Sequence, residues 1–436
     1  MRHATSLSAG TAAALIIVVG AATPALAQGR LTVDTSVSGG VASNPFLASG
    51  DTPVTGSATV QVSPNYQYDL GLTRFSLSGT ATVTEYLDRY PSSDSFSVNG
   101  SGVHQLSSRS ALRARLGYVN SIVGAFNEVG LLAPGIVVPG QDPISPVATP
   151  IDAASGLLSP VTPVNLGVSS DLLIDPSLGG IGRRRQTFTG GGGISTGLGP
   201  RDRVDLDLSV AAVRSGGVTL NDFNYVTQSI GYRRAIRPGF DLTAGVLAGK
   251  TDYLRQRQND AITLQPNVGA SYLLATGVSL NLAVGVSIVR SEMILPRATR
   301  TTTSFSAQGN LCKQDARTNA CLSVSRAALP SSIGGIRMQT AASVFATMRV
   351  GERSSVSISA LYSRSGEPLI DPSLIGLTST CTDVYSTRGD YSRRLSPRLS
   401  AFVSAGATRA DENIGLSRGA SYDLRTGVRA RFGAIR

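Results

Sequence analysis

Arginine residues alternate with apolar residues close to the C-terminal end of the sequence. In SYDLRTGVRARF, even numbers of positions separate Arg425, Arg429 and Arg431, so an extended chain places them on one face. A guanidinium group binds carboxylate or phosphate through two parallel hydrogen bonds, so arginines on a common face are suited to anions. A solvated polar face without a ligand is the alternative that this pattern leaves open.

The same spacing selects further arginines elsewhere in the chain. Nearly all basic residues are arginines, because only Lys250 and Lys313 are lysines. In the barrel that the strand pattern below predicts, one set of arginines lines the lumen and forms an anion path. This set is Arg113, Arg115, Arg337, Arg388, Arg394, Arg425, Arg429 and Arg431. Rows of arginine inside a pore favour the passage of anions.

An acidic segment of unusual length interrupts the regular part of the sequence. From Glu128 to Gly182 the chain contains no lysine and no arginine. The aspartates of interest in this segment are Asp142, Asp152, Asp171 and Asp175. A connection of this length is normally functional or disordered, and its content of leucine, valine and isoleucine argues against a solvated tail. We therefore expect a functional loop.

One pentapeptide matches the nucleophile motif of serine hydrolases. GISTG, at residues 193–197, places Ser195 in a G-x-S-x-G pattern, which requires a sharp turn between a strand and a helix. Here the motif lies within a glycine-rich strand, and the only histidine beyond the first 27 residues is His104. A hydrolase is therefore the third and least favoured function, and we expect no catalytic residues.

The three cysteines indicate a disulfide rather than a metal centre. Cys312 and Cys321 are nine positions apart and close a small loop if they are joined, which leaves Cys381 reduced. Pairing of Cys381 with one of them is the open alternative. The sequence has no paired spacing of zinc ligands, so neither a metal nor any other cofactor is expected.

The first 27 residues have the organisation of a secretory signal peptide. A short basic start precedes the apolar core TAAALIIVVGAA, and the ALA at residues 25–27 supplies a cleavage site. This core is shorter than the roughly 20 apolar residues of a membrane-spanning helix. We therefore expect export and cleavage, with a mature chain that begins near Gln28.

The composition differs from that of ordinary soluble domains. Charged residues are 15% of the sequence, compared with about 25% in typical globular proteins. The formal net charge is +11, and an exported basic protein meets anionic solutes, glycans or lipid head groups rather than nucleic acid.

Alternation of apolar and polar residues runs through most of the remaining sequence. RVDLDLSVA alternates Val204, Leu206 and Leu208 with charged residues, and VSLNLAVGVSI repeats the pattern. A period of two is the geometry of a strand. The polar face offers little to fill the core of a soluble sandwich, whereas a membrane barrel turns its apolar face to lipid and its polar face to the lumen.

Short turns and longer loops connect these segments alternately, which predicts an all-β transmembrane antiparallel barrel, an up-and-down meander of about sixteen strands. The predicted strands cover residues 30–43, 54–67, 70–87, 95–106, 110–127, 186–198, 202–215, 223–235, 239–252, 260–274, 277–291, 336–350, 353–365, 384–395, 398–409 and 419–433. With the short turns in the periplasm, both termini are periplasmic as well. The long outer loops are loop 3 (128–185), loop 6 (292–335) and loop 7 (367–383).

The hexapeptide LIDPSL occurs in loop 3 and again in loop 7. The copies, at residues 173–178 and 369–374, contain Asp-Pro-Ser, which favours a turn or the start of a helix. Because an even number of predicted strands separates the copies, both are expected on the same side of the membrane. A local duplication without a role is the alternative.

The chain resembles the β-barrel porin 2 group of proteobacterial outer-membrane proteins. The similar segments are the opening LTVDTSVSGGVASNPF, the hairpins around AIRPG and LSPR, and the closing GVRARFGAIR. The resemblance implies a barrel in Gram-negative outer-membrane lipid, placed there by the barrel-insertion machinery, in a group often associated with exopolysaccharide systems. Many such barrels end on an aromatic residue, whereas here Phe432 precedes Gly-Ala-Ile-Arg.

General porins with a similar number of strands fold their third loop into the lumen and are often trimers. By this analogy, loop 3 is expected to narrow the lumen, and a homo-oligomer is an open alternative to a monomer. The expected function is passive passage of anionic solutes through an arginine-rich pore, or export of an acidic exopolysaccharide. The main alternative is a structural or assembly barrel that loops 3 and 6 close and that conducts little.

Overall fold

The computed structural model describes most of the chain beyond the expected signal peptide. The described residues are 29–47, 53–88, 90–122, 184–215, 221–254, 260–274, 277–293, 298–315, 317–332, 334–369, 381–412 and 419–433. The expected signal peptide, the acidic segment of loop 3, and both LIDPSL copies except Leu369 lie outside them. Within the described ranges, no helix is long and apolar enough to cross a membrane.

Eighteen antiparallel strands form one closed sheet, which confirms the predicted all-β barrel. The strands are β1 (Gly29–Ser43), β2 (Val54–Leu70), β3 (Thr73–Tyr86), β4 (Ser93–Gln105), β5 (Ser110–Ile122), β6 (Arg184–Gly197), β7 (Asp202–Ser215), β8 (Phe223–Arg237), β9 (Phe240–Tyr253), β10 (Ala261–Leu273), β11 (Val278–Met293), β12 (Ala298–Gln314), β13 (Thr318–Pro330), β14 (Ile336–Arg349), β15 (Ser354–Pro368), β16 (Thr382–Ser396), β17 (Leu399–Glu412) and β18 (Ser421–Gly433). Each strand pairs with its neighbours in sequence, and β1 pairs with β18 from Thr32 opposite Gly433 to Ser43 opposite Tyr422. The sheet is therefore a circle without a free edge strand.

Each strand separates an apolar outer face from a polar inner face. On β18, Leu424 and Val428 are about half exposed, whereas Asp423 and Arg425 are buried. Cross-strand partners share a face, so the pairing register assigns every strand residue to the inner or the outer face. A polar interior behind an exposed apolar exterior is the pattern of a barrel that spans a membrane.

Aromatic side chains on the outer face collect near both ends of the barrel. The short connections lie at one end, which we call the turn end, and the other end is called the loop end. Aromatic pairs near the turn end are Tyr66–Phe75 and Phe240–Tyr272, and those near the loop end are Phe96–Tyr118, Tyr118–Phe188 and Tyr362–Tyr385. Aromatic belts at both interfaces are typical of membrane-spanning barrels.

The barrel contains two more strands than the sequence predicted, and both lie in the segment expected to be outer loop 6. This segment, residues 292–335, contains β12 and β13, which form a hairpin with its turn at the turn end. The prediction of one long outer loop there is wrong. Because the insertion is a pair of strands, every other connection remains on the side to which the sequence assigned it.

Weak alternation explains why the sequence pattern does not reveal these strands. The outer positions of β12 include Thr299, Thr301 and Thr303, and only Phe305 and Leu311 there are large and apolar. Threonine suits a strand, but it does not produce the hydrophobic period of two on which the prediction depends.

A disulfide joins Cys312 of β12 to Cys321 of β13, and Cys381 is a free, buried thiol. The two bridged cysteines are direct cross-strand partners with Cα atoms 4.1 Å apart. Their outward neighbours Leu311 and Leu322 are exposed, so the bridge faces the lumen. The disulfide therefore connects two strands of the wall instead of closing a loop outside the strands.

β12 and β13 pair over only part of their length. Their pairing runs from the turn end to Ala307 opposite Arg326 and then stops. Beyond this point β12 stays paired with β11, whereas β13 follows β14 as far as Pro330 opposite Ile336. The ends of β13 and β14 therefore separate from β12, and we call residues 327–338 the inner hairpin.

The inner hairpin packs inside the barrel against β7–β11. Its Ala327 and Leu329 form one buried cluster, and its Ala328, Ile336 and Met338 belong to a second. Their partners are inward side chains of the wall: Ala211, Val213, Phe223, Tyr225 and Tyr253 in the first cluster, and Ala261 and Val289 in the second. Burial of a side chain such as Leu329 contributes about 1.5–3 kcal/mol.

Hydrogen bonds hold the tip of the inner hairpin at the loop end of β8 and β9. The hydroxyl of Tyr253 donates to the carbonyl oxygen of Gly335 at 2.6 Å and accepts the amide of Ser331 at 3.2 Å. The amide of Asn221 donates to the carbonyl oxygen of Ser332 at 2.6 Å. Gly335 has a φ of 71°, a conformation that glycine adopts without strain. Tyr253 is therefore the main polar anchor of the tip.

The topology predicts where tags become accessible. A protease-accessible tag in the turn at residues 315–317 should be hidden on intact cells, because eighteen strands put this turn at the turn end, which we expect to be periplasmic. A sixteen-strand barrel would expose it in outer loop 6. Tags near Asp152, expected outside, and at Arg237-Pro238, expected inside, are the controls, and surface labelling at Arg237 would overturn the topology.

Candidate functional site: the barrel lumen

Charged residues on the inner face of the barrel are concentrated in two sectors. The first charged sector lies on β5–β9, and the second lies on β16–β18 and β1. Nine steps in the circle of eighteen strands separate β7 from β16, so the two sectors face each other across the lumen. Between them, β2–β4 and β10–β15 present mainly serine, threonine, asparagine and glutamine.

In the first charged sector, Arg113 of β5 reaches across β6 to two aspartates of β7. Its Nη2 atom lies 3.2 Å from Asp205 Oδ1 and 3.3 Å from Asp207 Oδ2. The register places Gly193 of β6 between Arg113 and Asp207. A side chain there would collide with the Asp207 carboxylate. The glycine run at residues 190–193 therefore leaves space for the arginines of the neighbouring strand.

Ser195 belongs to this sector, and its hydroxyl contacts an arginine. The Nε atom of Arg203 donates to Ser195 Oγ at 2.6 Å. Ser195 is the cross-strand partner of Ala111, whereas His104 is the partner of Leu112. Adjacent residues of β5 point to opposite faces, so Ser195 and His104 lie on opposite sides of the wall. The G-x-S-x-G motif thus lies inside a strand and does not form a serine–histidine pair.

In the second charged sector, Arg425 is buried, pairs with an aspartate of its own strand and reaches across β1 to β2. Its Nε atom lies 3.0 Å from Asp423 Oδ2 of the same strand, and only 6% of Arg425 is exposed. Its Nη1 atom donates to Thr59 Oγ1 of β2 at 3.4 Å. Between these strands, β1 presents Gly40 as the register partner of Arg425. Glycine again provides the path across a strand.

Two further arginines of this sector pair with aspartates. Arg431 donates to both carboxylate oxygens of Asp34 on β1, at 2.8 Å and 3.3 Å. Arg388 donates through Nε to Asp390 at 3.4 Å and through Nη2 to Ser404 Oγ at 3.1 Å. Each aspartate therefore orients a guanidinium along the wall.

Arg429 has an aromatic neighbour. Its Cζ atom lies 5.2 Å from the centre of the Phe402 ring on β17, within the range of a cation–π contact. Gly427 lies beside this ring, because a Cβ at that position would be 2.9 Å from Phe402 Cζ. The ring and the glycine therefore hold Arg429 flat against the wall.

The other three predicted arginines occupy different environments. Arg115 lies on the inner face of the first charged sector and forms no ion pair with any described residue. Arg394 is on the inner face near the turn end. Arg337 is fully buried at the base of the inner hairpin and donates to the carbonyl oxygen of Gly366 at 3.3 Å. The four loop 3 aspartates lie outside the described residues, so a constriction by loop 3 stays a prediction.

Within the described part of the chain, inward arginines outnumber inward acids. The arginines on the inner face are Arg30, Arg74, Arg113, Arg115, Arg185, Arg203, Arg233, Arg300, Arg337, Arg349, Arg388, Arg394, Arg425, Arg429 and Arg431. The acids on this face are Asp34, Asp69, Asp205, Asp207, Asp241, Asp390 and Asp423. The described part of the inner wall therefore carries net positive formal charge. The aspartates that pair with these arginines could have been found in the sequence, because they occupy the same alternate, polar positions of the strands.

Comparison with known proteins leaves the family open and shows similarity to outer-membrane channels. No family model matches the sequence, and no curated protein matches it significantly. The OccK2 (OpdF) structure of Pseudomonas aeruginosa in complex with glucuronate is 9% identical over 93% of this chain and 98% of that chain, with a TM-score of 0.40. The OpdK structure of the same species with vanillate is 10% identical over 93% of this chain and 99% of that chain, with a TM-score of 0.42.

The FrpB iron transporter of Neisseria meningitidis is 8% identical, and the aligned region covers 92% of this chain and 82% of that chain, with a TM-score of 0.41. Similarity at this level carries no conclusion about the solute of the present chain. The proposals below therefore depend on its own lumen.

The space that Gly193 leaves over β6 leads to a prediction about stability. Gly193→Ala should destabilise the barrel by about 1–3 kcal/mol, because the new Cβ would overlap the Asp207 carboxylate and lie 2.7 Å from the Leu206 carbonyl oxygen. The matched control is Gly231→Ala, an inward glycine of β8 with no atom within 4 Å of an added Cβ. The measurement is the urea midpoint of unfolding by circular dichroism. Equal midpoints for both variants would contradict this role of Gly193.

Proposed function

We propose that the chain forms a passive outer-membrane channel that favours small anionic solutes. The observation that supports this most is the excess of inward arginines over inward acids in a closed barrel with an apolar exterior. Charges in a confined lumen are screened less than charges on an open surface. A lumen of this sign raises the local concentration of anions and lowers that of cations.

The second charged sector offers a path along the barrel axis. Arg388 and Arg425 lie towards the loop end, Arg429 follows, and Arg431 lies close to the turn end. The ion pairs with Asp390, Asp423 and Asp34 orient three of these guanidinium groups along the wall. The row of positive charge that results extends along the axis and supports a path for an anion.

The inner hairpin supports a preference for small solutes. Its residues pack inside the barrel against β7–β11, so they occupy part of the cross-section near the loop end. A small anion can pass beside this hairpin, whereas an extended polysaccharide needs a wider path. Export of an acidic exopolysaccharide, which the β-barrel porin 2 resemblance favours, would require the hairpin to move.

A non-conducting structural or assembly barrel is the second candidate. The observation in its favour is the complete burial of Ser331, Ser332 and Ile336 in the inner hairpin, which indicates a well-packed obstruction. Conductance of the purified protein in planar bilayers separates the two candidates. An ohmic current supports the channel, whereas membranes that contain the protein but carry no current support the structural barrel.

The arginine path predicts the sign of ion selectivity. Across a salt gradient, the reversal potential should indicate anion preference, and changing Arg425, Arg429 and Arg431 together to Ser should shift it towards cations. The shift is expected because Asp34 and Asp423 lose their partners but keep their charge. High salt should weaken the preference. The control is Arg409→Ser, since Arg409 pairs with Asp411 on the outer face.

Two results would contradict the anion path. One is cation selectivity of the parent protein, and the other is an unchanged reversal potential in the triple variant while the Arg409→Ser protein inserts and conducts normally.

The anchor of the inner hairpin makes a separate prediction. Tyr253→Phe should increase the single-channel conductance or the frequency of large open states, because it removes the hydroxyl that binds Gly335 and Ser331. Loss of such a buried contact costs about 1–3 kcal/mol. The control is Tyr232→Phe, which removes an exposed hydroxyl bound to Asp202 on the outer face. Conductance equal to that of the parent in both variants would show that Tyr253 does not hold the obstruction.

A further inference from the structure

A concavity in the inner wall of β3–β8 surrounds Arg115. Its polar lining consists of Ser76, Ser78, Asn99, Ser101, Thr189 and Ser209. Tyr225 of β8 closes one end of the concavity. The same tyrosine packs in the cluster that holds the inner hairpin, so the concavity lies beside the narrowed part of the lumen.

The register of six strands builds this concavity from two successive rows of inward residues. The first row, from β3 to β7, is Ser76, Ser101, Arg115, Gly191 and Ser209. The second row, from β3 to β8, is Ser78, Asn99, Gly117, Thr189, Ala211 and Tyr225. Each row contains one glycine, and its missing side chain leaves space between the neighbouring hydroxyl and amide groups.

These glycines also determine where the polar groups lie. A Cβ at Gly191 would be 3.0 Å from Arg115 Nε, so the guanidinium lies across β6 at this point. A Cβ at Gly117 would be 3.1 Å from Asn99 Oδ1 and closer still to Thr189 Oγ1, so the amide and the hydroxyl converge over Gly117. One cationic group and several neutral hydrogen-bonding groups therefore point into the same space.

Arg115 differs from Arg113 and Arg203 of the first charged sector. Arg113 is held by Asp205 and Asp207, and Arg203 lies 3.5 Å from Asp205. Arg115 forms no ion pair with a described residue and is exposed to the lumen. Its guanidinium is therefore available for a carboxylate, which it can bind through two parallel hydrogen bonds.

We propose that this concavity is a binding site for a small monocarboxylate that carries several hydroxyl groups. The proposal depends on the anion channel above and identifies one site and one solute class within it. Arg115 binds the carboxylate, and the serine, threonine and asparagine side chains exchange hydrogen bonds with the hydroxyl groups, because each of them both donates and accepts.

Charge and polarity disfavour other solute classes at this site. A dianion such as phosphate would meet the guanidinium of Arg115 and the negative charge of Asp207, which lies one inward position from Ser209 on β7. An apolar carboxylate would displace water from the hydroxyl and amide groups without replacing the hydrogen bonds of that water. A neutral sugar would leave the carboxylate position beside Arg115 empty. A hydroxylated monocarboxylate satisfies both parts of the site.

The test is block of single-channel current by gluconate, with glucose and hexanoate as the uncharged and the unhydroxylated probes. Gluconate should reduce the current at concentrations at which the other two do not. Arg115→Gln should weaken gluconate binding about tenfold or more. Thr189→Val, which removes a lining hydroxyl, should weaken gluconate block as well. The control is Arg290→Gln, on the outer face of β11, and it should bind gluconate as the parent does.

The outcomes separate this proposal from the channel itself. Anion-selective current without gluconate block, or equal block by hexanoate, overturns the site and leaves the channel intact. Equal gluconate affinity in the parent and in Arg115→Gln does the same. If the protein carries no current, titration calorimetry of gluconate with the detergent-solubilised parent and the Arg115→Gln protein decides the site, and binding that depends on Arg115 supports it.

Discussion

Pairing of the first strand with the last is the constraint on which the rest of this structure depends. Inside a membrane, an unpaired backbone N–H or C=O group costs several kcal/mol, so a sheet of this kind must close. Closure fixes the register of all eighteen strands, and the register decides which side chains face the lumen. Arg431 and Asp34, 397 positions apart in the sequence, meet only because the circle is complete.

Glycine and arginine have complementary roles on the inner face. On the inner face, two arginines contact the second strand along, across a glycine of the strand between them. Gly193 provides this space for Arg113, and Gly40 provides it for Arg425. The high glycine content of the chain, 48 residues, is therefore partly a requirement of its charged interior.

The sequence predicts those features that depend on alternation, and it misses those that depend on contacts between distant strands. Alternation is sufficient for the all-β barrel and for sixteen of its eighteen strands, and the register places all eight selected arginines on the inner face. The inner hairpin was not predictable in this way, because Leu329 and Ile336 are buried by partners on β7–β11. The concavity at Arg115 likewise requires the register of six strands, which no single segment contains.

The disulfide between Cys312 and Cys321 lies on the turn-end side of the point where β12 and β13 separate. A covalent bond at this position sets a limit to the separation, since the strands can part beyond Ala307 and Arg326 but not below the bridge. The turn-end half of this strand pair is therefore held covalently as well as by its backbone hydrogen bonds, whereas the inner hairpin is held by side-chain packing and hydrogen bonds alone.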